Sequence, residues 1–367
     1  MSVSLLTVTT TDDTATQNAT WVARWNGHKG FTDELGMRIA HRERVPLIPT
    51  YKSIAPHTLR VPSSLEYDDI QENHFLRDRY LLLQSGLLER LRGITNVFSP
   101  QTEGVTSRYD HSLQVANLAS EIAKRLGMNP VLAETIALGH DCAHGPGGHI
   151  FEDTMLAIFG NQYNHGYLAN KMLQDISDSF HKEVLDGIKN HSWKCKTPMT
   201  AEGEIVAWAD RISYIISDFL DGCKLGIVKP LDLAADPTID PVLARLICTD
   251  PESLRTFFME QLVRDSQSAG YVAMNAQDAH NLMALRDFNT ARIIGSEYRI
   301  KQDDRFHTAI TDVIHAVTND AFLPPNPPKL LTAPFPRVIQ FLLGHDDASF
   351  LRYHQELIGD RAIGRTL

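Results

Sequence analysis

The sequence predicts an all-α fold, and three observations carry that prediction. Apolar residues recur at three- and four-residue spacing from about Asp68 onward, alternating strand-like runs are weak and short throughout, and helix-start signals such as Asn129-Pro130 punctuate the periodic segments. A chain of 367 residues with 43% hydrophobic content can bury one large core. The expectation is one helical body with appendages and few or no short strands.

The elements follow in order. Residues 1–20 are rich in Thr, Ser and Asp and read as a flexible tail. Residues 21–66 form an irregular wrap, broken by Pro46, Pro49, Pro56 and Pro62. The core is expected over 67–322. Within it, Val115, Leu118, Ala119, Ile122 and Leu126 give an amphipathic helix from Asp110 to Leu126 with His111 in its first turn. Asn129-Pro130 opens a helix that runs through Val131, Ala133, Ile136 and Ala137 to His140-Asp141. Gly145, Pro146, Gly147 and Gly148 must end it, so His144 and His149 should flank a tight loop. A further helix from Ala201 to Leu220 buries Ile205, Ala209, Ile212, Ile216 and Phe219, and sets Asp210, Tyr214 and Asp218 on a neighbouring polar strip that could wall a pocket. Residues 323–367 comprise a Pro-rich linker, Leu323 to Pro336, and a final helical segment from Arg337 to Ile358.

Composition excludes several roles. A net charge of −10 argues against general nucleic-acid binding, which is built from clustered Lys and Arg. Any attraction for an anionic substrate must therefore be local. No apolar stretch approaches the roughly 20 residues that span a bilayer, and the first residues lack the pattern of a signal peptide. A cytoplasmic location without membrane association is expected. Cys142, Cys195, Cys223 and Cys248 are scattered without a CxxC pair, so they read as reduced thiols.

The chemistry concentrates between Leu138 and His149, where His140 and Asp141 are adjacent and His144 and His149 follow within nine residues of His140. Taken with His111 and Asp210 from other helices, these residues offer two imidazoles and two carboxylates to one divalent ion, of the set manganese, magnesium, iron or zinc. Such a ligand set leaves positions open for water and substrate. Any one of these residues alone is better explained by a helix cap or an ion pair, but their joint pattern favours a metal site. His144, His149 and His165 could donate protons or bind phosphate, since histidine titrates near neutral pH. Glu152 falls one turn after His149 and could orient it, or could serve as an ordinary helix N-terminal carboxylate. Arg108 precedes His111 by one turn and could direct a guanidinium at the same phosphate; Arg211 and Tyr214 stand similarly after Asp210. A surface salt bridge is the plainer reading of either arginine, and a loop histidine that of His165.

Ordered segments then add a resemblance. They are Arg77-Asp78-Arg79, Leu88 to Phe98, Ser107 to Val115, Gly139 to Glu152, Tyr163-Asn164-His165, Gly187 to Ser192 with His191, Glu204 to Tyr214, and Leu285 to Ile293. Spread over about residues 72–300, this series resembles the deoxynucleoside triphosphate triphosphohydrolases, the dGTPase-like enzymes of the HD superfamily. The resemblance implies a helical bundle of HD type with additional C-terminal helices. It also implies hydrolysis of a dNTP to deoxynucleoside and inorganic triphosphate by water attack on the α-phosphorus. In that scheme His111, His140, Asp141 and Asp210 are the metal ligands. His149, oriented by Glu152, protonates the departing 5′-oxygen, while His144, His165 and Arg108 hold phosphate oxygens. Asn96, Arg211, Tyr214, Asp218 and His191 are placed around the substrate, with Asn96 near the sugar 3′-hydroxyl and Tyr214 below the ring. Homo-oligomers and an activating dNTP are further implications. The chain departs from the family pattern in having Asn96 for Gln, Gly147-Gly148 for Phe-Gly, and Gly166 for Asn. Other HD hydrolases, such as a nucleotidase or phosphodiesterase, and a non-catalytic dNTP sensor remain competing readings.

Overall fold

The computed structural model describes residues 45–48, 75–99, 104–159, 163–237, 239–318 and 337–362, together with the residue pairs 21–22, 25–26 and 38–39. The expected N-terminal tail, most of the irregular wrap and the Pro-rich linker lie outside these residues.

The described chain is almost entirely helical. In order the helices are α1 (Phe75–Gln84), α2 (Leu87–Arg90), α3 (Arg108–Arg125), α4 (Pro130–Gly139), α5 (His149–Phe159), α6 (His165–Ile176), α7 (Lys182–Asn190), α8 (Ala201–Lys224), α9 (Pro230–Ala234), α10 (Pro241–Thr249), α11 (Leu254–Ala269), α12 (Ala276–Asn289), α13 (Glu297–Thr318), α14 (Arg337–Leu343) and α15 (Asp347–Ala362). A π-helical turn, Thr290–Ile294, joins α12 to α13. The strands are two-residue pairings: Trp21–Val22 runs antiparallel to Met274–Asn275, and Trp25–Asn26 to Arg38–Ile39.

The centre of the body is a trio in which α3 packs on α4 and α8, while α4 also meets α1, α7 and α8. Local signals fix where each helix starts. Ser107 caps α3 through a reciprocal box: its Oγ accepts from the Asp110 amide at 3.1 Å, and Asp110 accepts from the Ser107 amide at 3.1 Å. Asn129 caps α4 by accepting from Val131 and Leu132, and Thr200 caps α8 by accepting from Gly203. Each cap is typically worth about 1 kcal/mol. More importantly, each sets the helical phase that places a functional side chain.

Close helix approach is obtained with glycine. A Cβ on Gly139 of α4 would meet Ile188 Cδ1 at 2.6 Å, and one on Gly187 of α7 would meet Ile136 Cδ1 at 2.5 Å. The two helices thus interlock reciprocally, an isoleucine of each filling the space left by a glycine of the other.

Two boundaries differ from the sequence reading. Helix α4 ends at Gly139, so His140 and Asp141 lie in the turn that follows rather than within the helix. The single C-terminal helix is two, because Gly344 breaks the run and Asp346 restarts it by accepting from the Ser349 amide at 2.7 Å.

Candidate metal centre and substrate pocket

Three helices and one turn bring the four candidate ligands together. His111 lies in the first turn of α3, His140 and Asp141 directly after α4, and Asp210 midway along α8. His111 Nε2 is 3.0 Å from Asp210 Oδ1 and 3.8 Å from Asp141 Oδ2; His140 Nε2 is 3.4 Å from Asp141 Oδ2 and 3.6 Å from Asp210 Oδ1. Among these, only Asp210 is appreciably exposed.

The donor set fits a divalent cation. His140 Nδ1 lies 2.6 Å from the Ala137 carbonyl, which assigns the ring proton to that side and leaves Nε2 buried without a hydrogen-bond partner, aimed at the two carboxylates. Burial opposes ionisation of Asp141, but His140 and Arg108 hold its carboxyl well below the ordinary range; for Asp210 burial is likewise overcome by His111 and His140. The converse holds for His140, where burial is outweighed by Asp141 and Asp210 and the imidazole rises to about 9. A cation and a proton therefore compete for the same nitrogen.

A second group of imidazoles adjoins the first through Asp141. Its Oδ1 faces His144 Nε2 at 3.2 Å and His165 Nε2 at 3.8 Å, while its Oδ2 accepts from Arg108 Nη1 at 2.6 Å. His144 stacks on His165 with centroids 4.2 Å apart, and His165 Nε2 lies 3.1 Å from His191 Nε2. Burial, then Arg108, holds His144 well below its usual pKa; burial, then His140, lowers His191 to about 4. His191, read from sequence as a substrate contact, sits against the metal side: its ring centroid is 4.9 Å from that of His140, and its ligand atom groups with those of His140 and Asp210.

Glu152 does not pair with His149. Its carboxylate lies 2.9 Å from His165 Nδ1 and accepts from the His165 amide at 3.4 Å. The reason is geometric: Asn164 caps α6 and thereby puts His165 at its first position, facing the first turn of α5. Against the penalty of burial, Glu152 raises the His165 imidazole. His149 keeps an exposed edge toward the pocket and meets Arg108 Nη2 at 3.3 Å; its protein surroundings, then Arg108, push it down to about 3.

These groups floor a cavity of about 310 Å³. Its walls include Asn96, Arg108, Arg211, Tyr214 and Asp218, so every substrate-side residue read from sequence except His144 borders it, and His144 lies directly behind. The Arg211 guanidinium lies 4.0 Å over the Trp193 ring. Past Tyr214 and Asp218 a side chamber of about 210 Å³ continues to Arg299 and Asp303, which form an ion pair. Burial, then Asp221, raises Asp218 well above the carboxylate range.

Residues that match a known domain now stand on this geometry. Residues 108–215, from Arg108 through Asp210 to Ile215, match the HD domain. This stretch of the chain is an HD domain by that match. Curated proteins similar to this HD chain are named deoxyguanosinetriphosphate triphosphohydrolase-like protein. One from Caldanaerobacter subterraneus subsp. tengcongensis is 34% identical over 198 residues, covering 51% of this chain and 58% of the relative. One from Clostridium tetani is 30% identical over 213 residues (55% and 60%), and one from Paracoccus denitrificans 28% over 250 residues (58% and 66%). The chain thus spans roughly three fifths of the length of these relatives. Among the described residues, no helix is long and apolar enough to cross a membrane.

Sequence reasoning passed over Arg90 and Arg286 of the HD protein. Arg90 Nη2 donates to the Cys142 and His144 carbonyls, both at 2.7 Å, tying down the turn that carries Asp141. Arg286 lines the pocket opposite. Both lie in segments that carry the family resemblance, which was the available signal, but nothing in local spacing says where either guanidinium points.

Proposed function

We propose that this HD protein hydrolyses a deoxynucleoside triphosphate to deoxynucleoside and inorganic triphosphate by attack of water on the α-phosphorus. The observation that carries this reading is the meeting of His111 Nε2, His140 Nε2, Asp141 Oδ2 and Asp210 Oδ1 beside a pocket lined with Arg108, His149 and His165. A divalent ion held by those four side chains, of the set manganese, magnesium, iron or zinc, would supply Lewis-acid charge and a readily deprotonated water.

The chain's own residues do the rest. Arg108, already fixed by Asp141, presents its guanidinium edge between Asn96 and His149, where a phosphate oxygen would complete its contacts. As the bond from phosphorus to the 5′-oxygen breaks, that oxygen needs a proton. His149, exposed on the pocket side and in contact with Arg108 Nη2, is the imidazole placed to deliver that proton. His165, backed by Glu152, and His144 stacked upon it would steady phosphate oxygens. Asn96 Nδ2 is buried without a hydrogen-bond partner at the junction of pocket and side chamber, so a sugar hydroxyl is its natural acceptor. Tyr214 and Asp218 would bound the sugar, and Arg211 and His191 the outer and metal-side walls. A homo-oligomeric state, an activating dNTP and a cytoplasmic location go with the reading by resemblance.

The test is to incubate the purified protein with each dNTP and Mn²⁺ or Mg²⁺ and follow nucleoside and triphosphate by chromatography. Orthophosphate from a dNMP, or cleavage of a phosphodiester, would replace the reading with another HD hydrolase; binding without turnover would replace it with a sensor. Asp210→Ala and His140→Ala should each lose bound metal and turnover together, and retention of both in Asp210→Ala would sink the ligand assignment.

A further inference from the structure

Helix α15 lies outside both the matched HD domain and the sequence resemblance, yet one of its side chains reaches the loops beside the pocket. Asp347, fully buried in the first turn of α15, accepts from the Thr95 amide at 3.0 Å, from Thr95 Oγ1 at 2.5 Å and from the Gly147 amide at 2.8 Å. Thr95 and Gly147 belong to the two loops that frame Arg108 and His149.

Those loops lean on each other. Arg108 Nε donates to the Thr95 carbonyl at 3.0 Å and Nη2 to the Asn96 carbonyl at 3.3 Å, while Nη2 also meets His149 Nδ1. Gly148 has φ +65°, and a Cβ there would come within 2.4 Å of the Thr95 carbonyl oxygen, so the two backbones are in direct contact. On the side away from the pocket, Asp347 is the acceptor that the two loops share. The approach is close there too: a Cβ on Gly93 would meet Asp346 Cβ at 2.6 Å. Packing of Phe350 and Leu351 in the core keeps α15 in place. Burial raises the Asp347 carboxyl to about 6, which leaves it a carboxylate at neutral pH and able to accept all three bonds.

We infer that Asp347 is a positioning residue: by bridging the Thr95 and Gly147 loops from the C-terminal helix, it fixes the distance between the Arg108 guanidinium and the His149 imidazole. The C-terminal segment is then a component of the active site rather than an appendage. Its kinetic consequence rests on the dNTP-hydrolysis reading; its structural consequence does not.

The test uses the full chain with Asp347→Asn and Asp347→Ala. An amide at 347 keeps the shape but offers one acceptor oxygen where two amides need one each, so Asn should be intermediate and Ala most affected. The expected result is faster deuterium uptake in peptides covering 93–99 and 144–150, with unchanged metal content. With dNTP, kcat should fall on the order of 10- to 100-fold, the scale of small misplacements, and kcat/KM should fall with it, because Arg108 and His149 both face the substrate. A merely structural carboxylate would lower Tm and leave kcat of the folded, metal-loaded enzyme intact. That outcome, or unchanged uptake in both peptides, overturns the inference. Should Asp347→Ala fail to fold, Thr95→Val removes one of the three bonds at constant volume, and its effects on uptake and kcat should be less than additive with those of Asp347→Asn; full additivity overturns the inference. If the wild-type protein turns over no dNTP, the functional reading fails, and the uptake comparison alone decides on Asp347.

Discussion

His149 is where the residue-scale argument is most exposed to test. It shares Arg108 with Asp141 but touches no candidate ligand, so replacing it should separate chemistry from metal binding. In His149→Ala the metal content should equal that of the wild type while the single-turnover rate drops about 10² or more, the usual scale for a positioned acid or base. A variant with normal single-turnover rate would remove His149 from the proton path and leave His165 as the imidazole best placed to replace it. At this scale the sequence revealed residue types and left partners hidden. The pattern around His140-Asp141 is visible because metal chemistry restricts donors to a few side chains. The pairing of Glu152 with His165 was not visible, because i, i+3 spacing on α5 pointed to His149 while the competing contact comes from the start of another helix, thirteen residues on. Asp347 gave no signal at all: an acid in the first turn of a helix has an ordinary explanation in the helix dipole.

At the scale of elements, the loop ahead of α5 and the anchoring of α7 make different demands. Gly148 combines a left-handed backbone with contact against the Thr95 carbonyl, so Gly148→Ala should be strained twice. A loss of about 1–3 kcal/mol in stability together with a fall in kcat is expected, by denaturant titration and steady-state kinetics; an Ala variant equal to wild type in both would show that the two loops are free to separate. At the other side of the body, Asp78 of α1, fully buried, accepts from the His181 amide at 2.9 Å and pairs with its ring nitrogen at 2.9 Å, joining α1 to the start of α7. This bond, offset in part by burial, raises the His181 imidazole above its ordinary 6.5. The protonated pair therefore adds stability that is complete below pH 6.5 and disappears as pH climbs through the raised folded-state value. Unfolding free energies of wild type and His181→Gln should differ most at the acid end of that window and converge above it. A gap that widened with rising pH would refute the assignment of charge. Helix existence was readable from periodicity and caps, and helix ends less so. The stop of α4 before His140 and the split at Gly344 depend on single residues whose effect is decided by what packs over them.

For the whole molecule, the centre gathers two carboxylates and several imidazoles in one largely buried volume, and a bound cation should relieve that cost. Saturating Mn²⁺ should thus raise Tm, with about 2.7 kcal/mol of added stability at a hundredfold excess over Kd, and chelation should reverse it; Asp210→Ala should abolish the shift. A Tm indifferent to Mn²⁺ in the wild type would argue that the four side chains hold no ion. The all-helical architecture was legible from the chain because local periodicity fixes helices, whereas the docking of α15 onto the pocket loops is a contact across some 250 residues of sequence and could only be seen in three dimensions.

The reciprocal glycine and isoleucine seam between α4 and α7 has one more implication. His140 follows the first of these helices and His191 the second, so the seam sets the spacing of two imidazoles whose ring centroids lie 4.9 Å apart, one of them a candidate ligand. Adding a methyl group at Gly187 would wedge the helices apart against Ile136 and draw His140 off its partner carboxylates, so a remote substitution should weaken cation uptake with every candidate ligand intact.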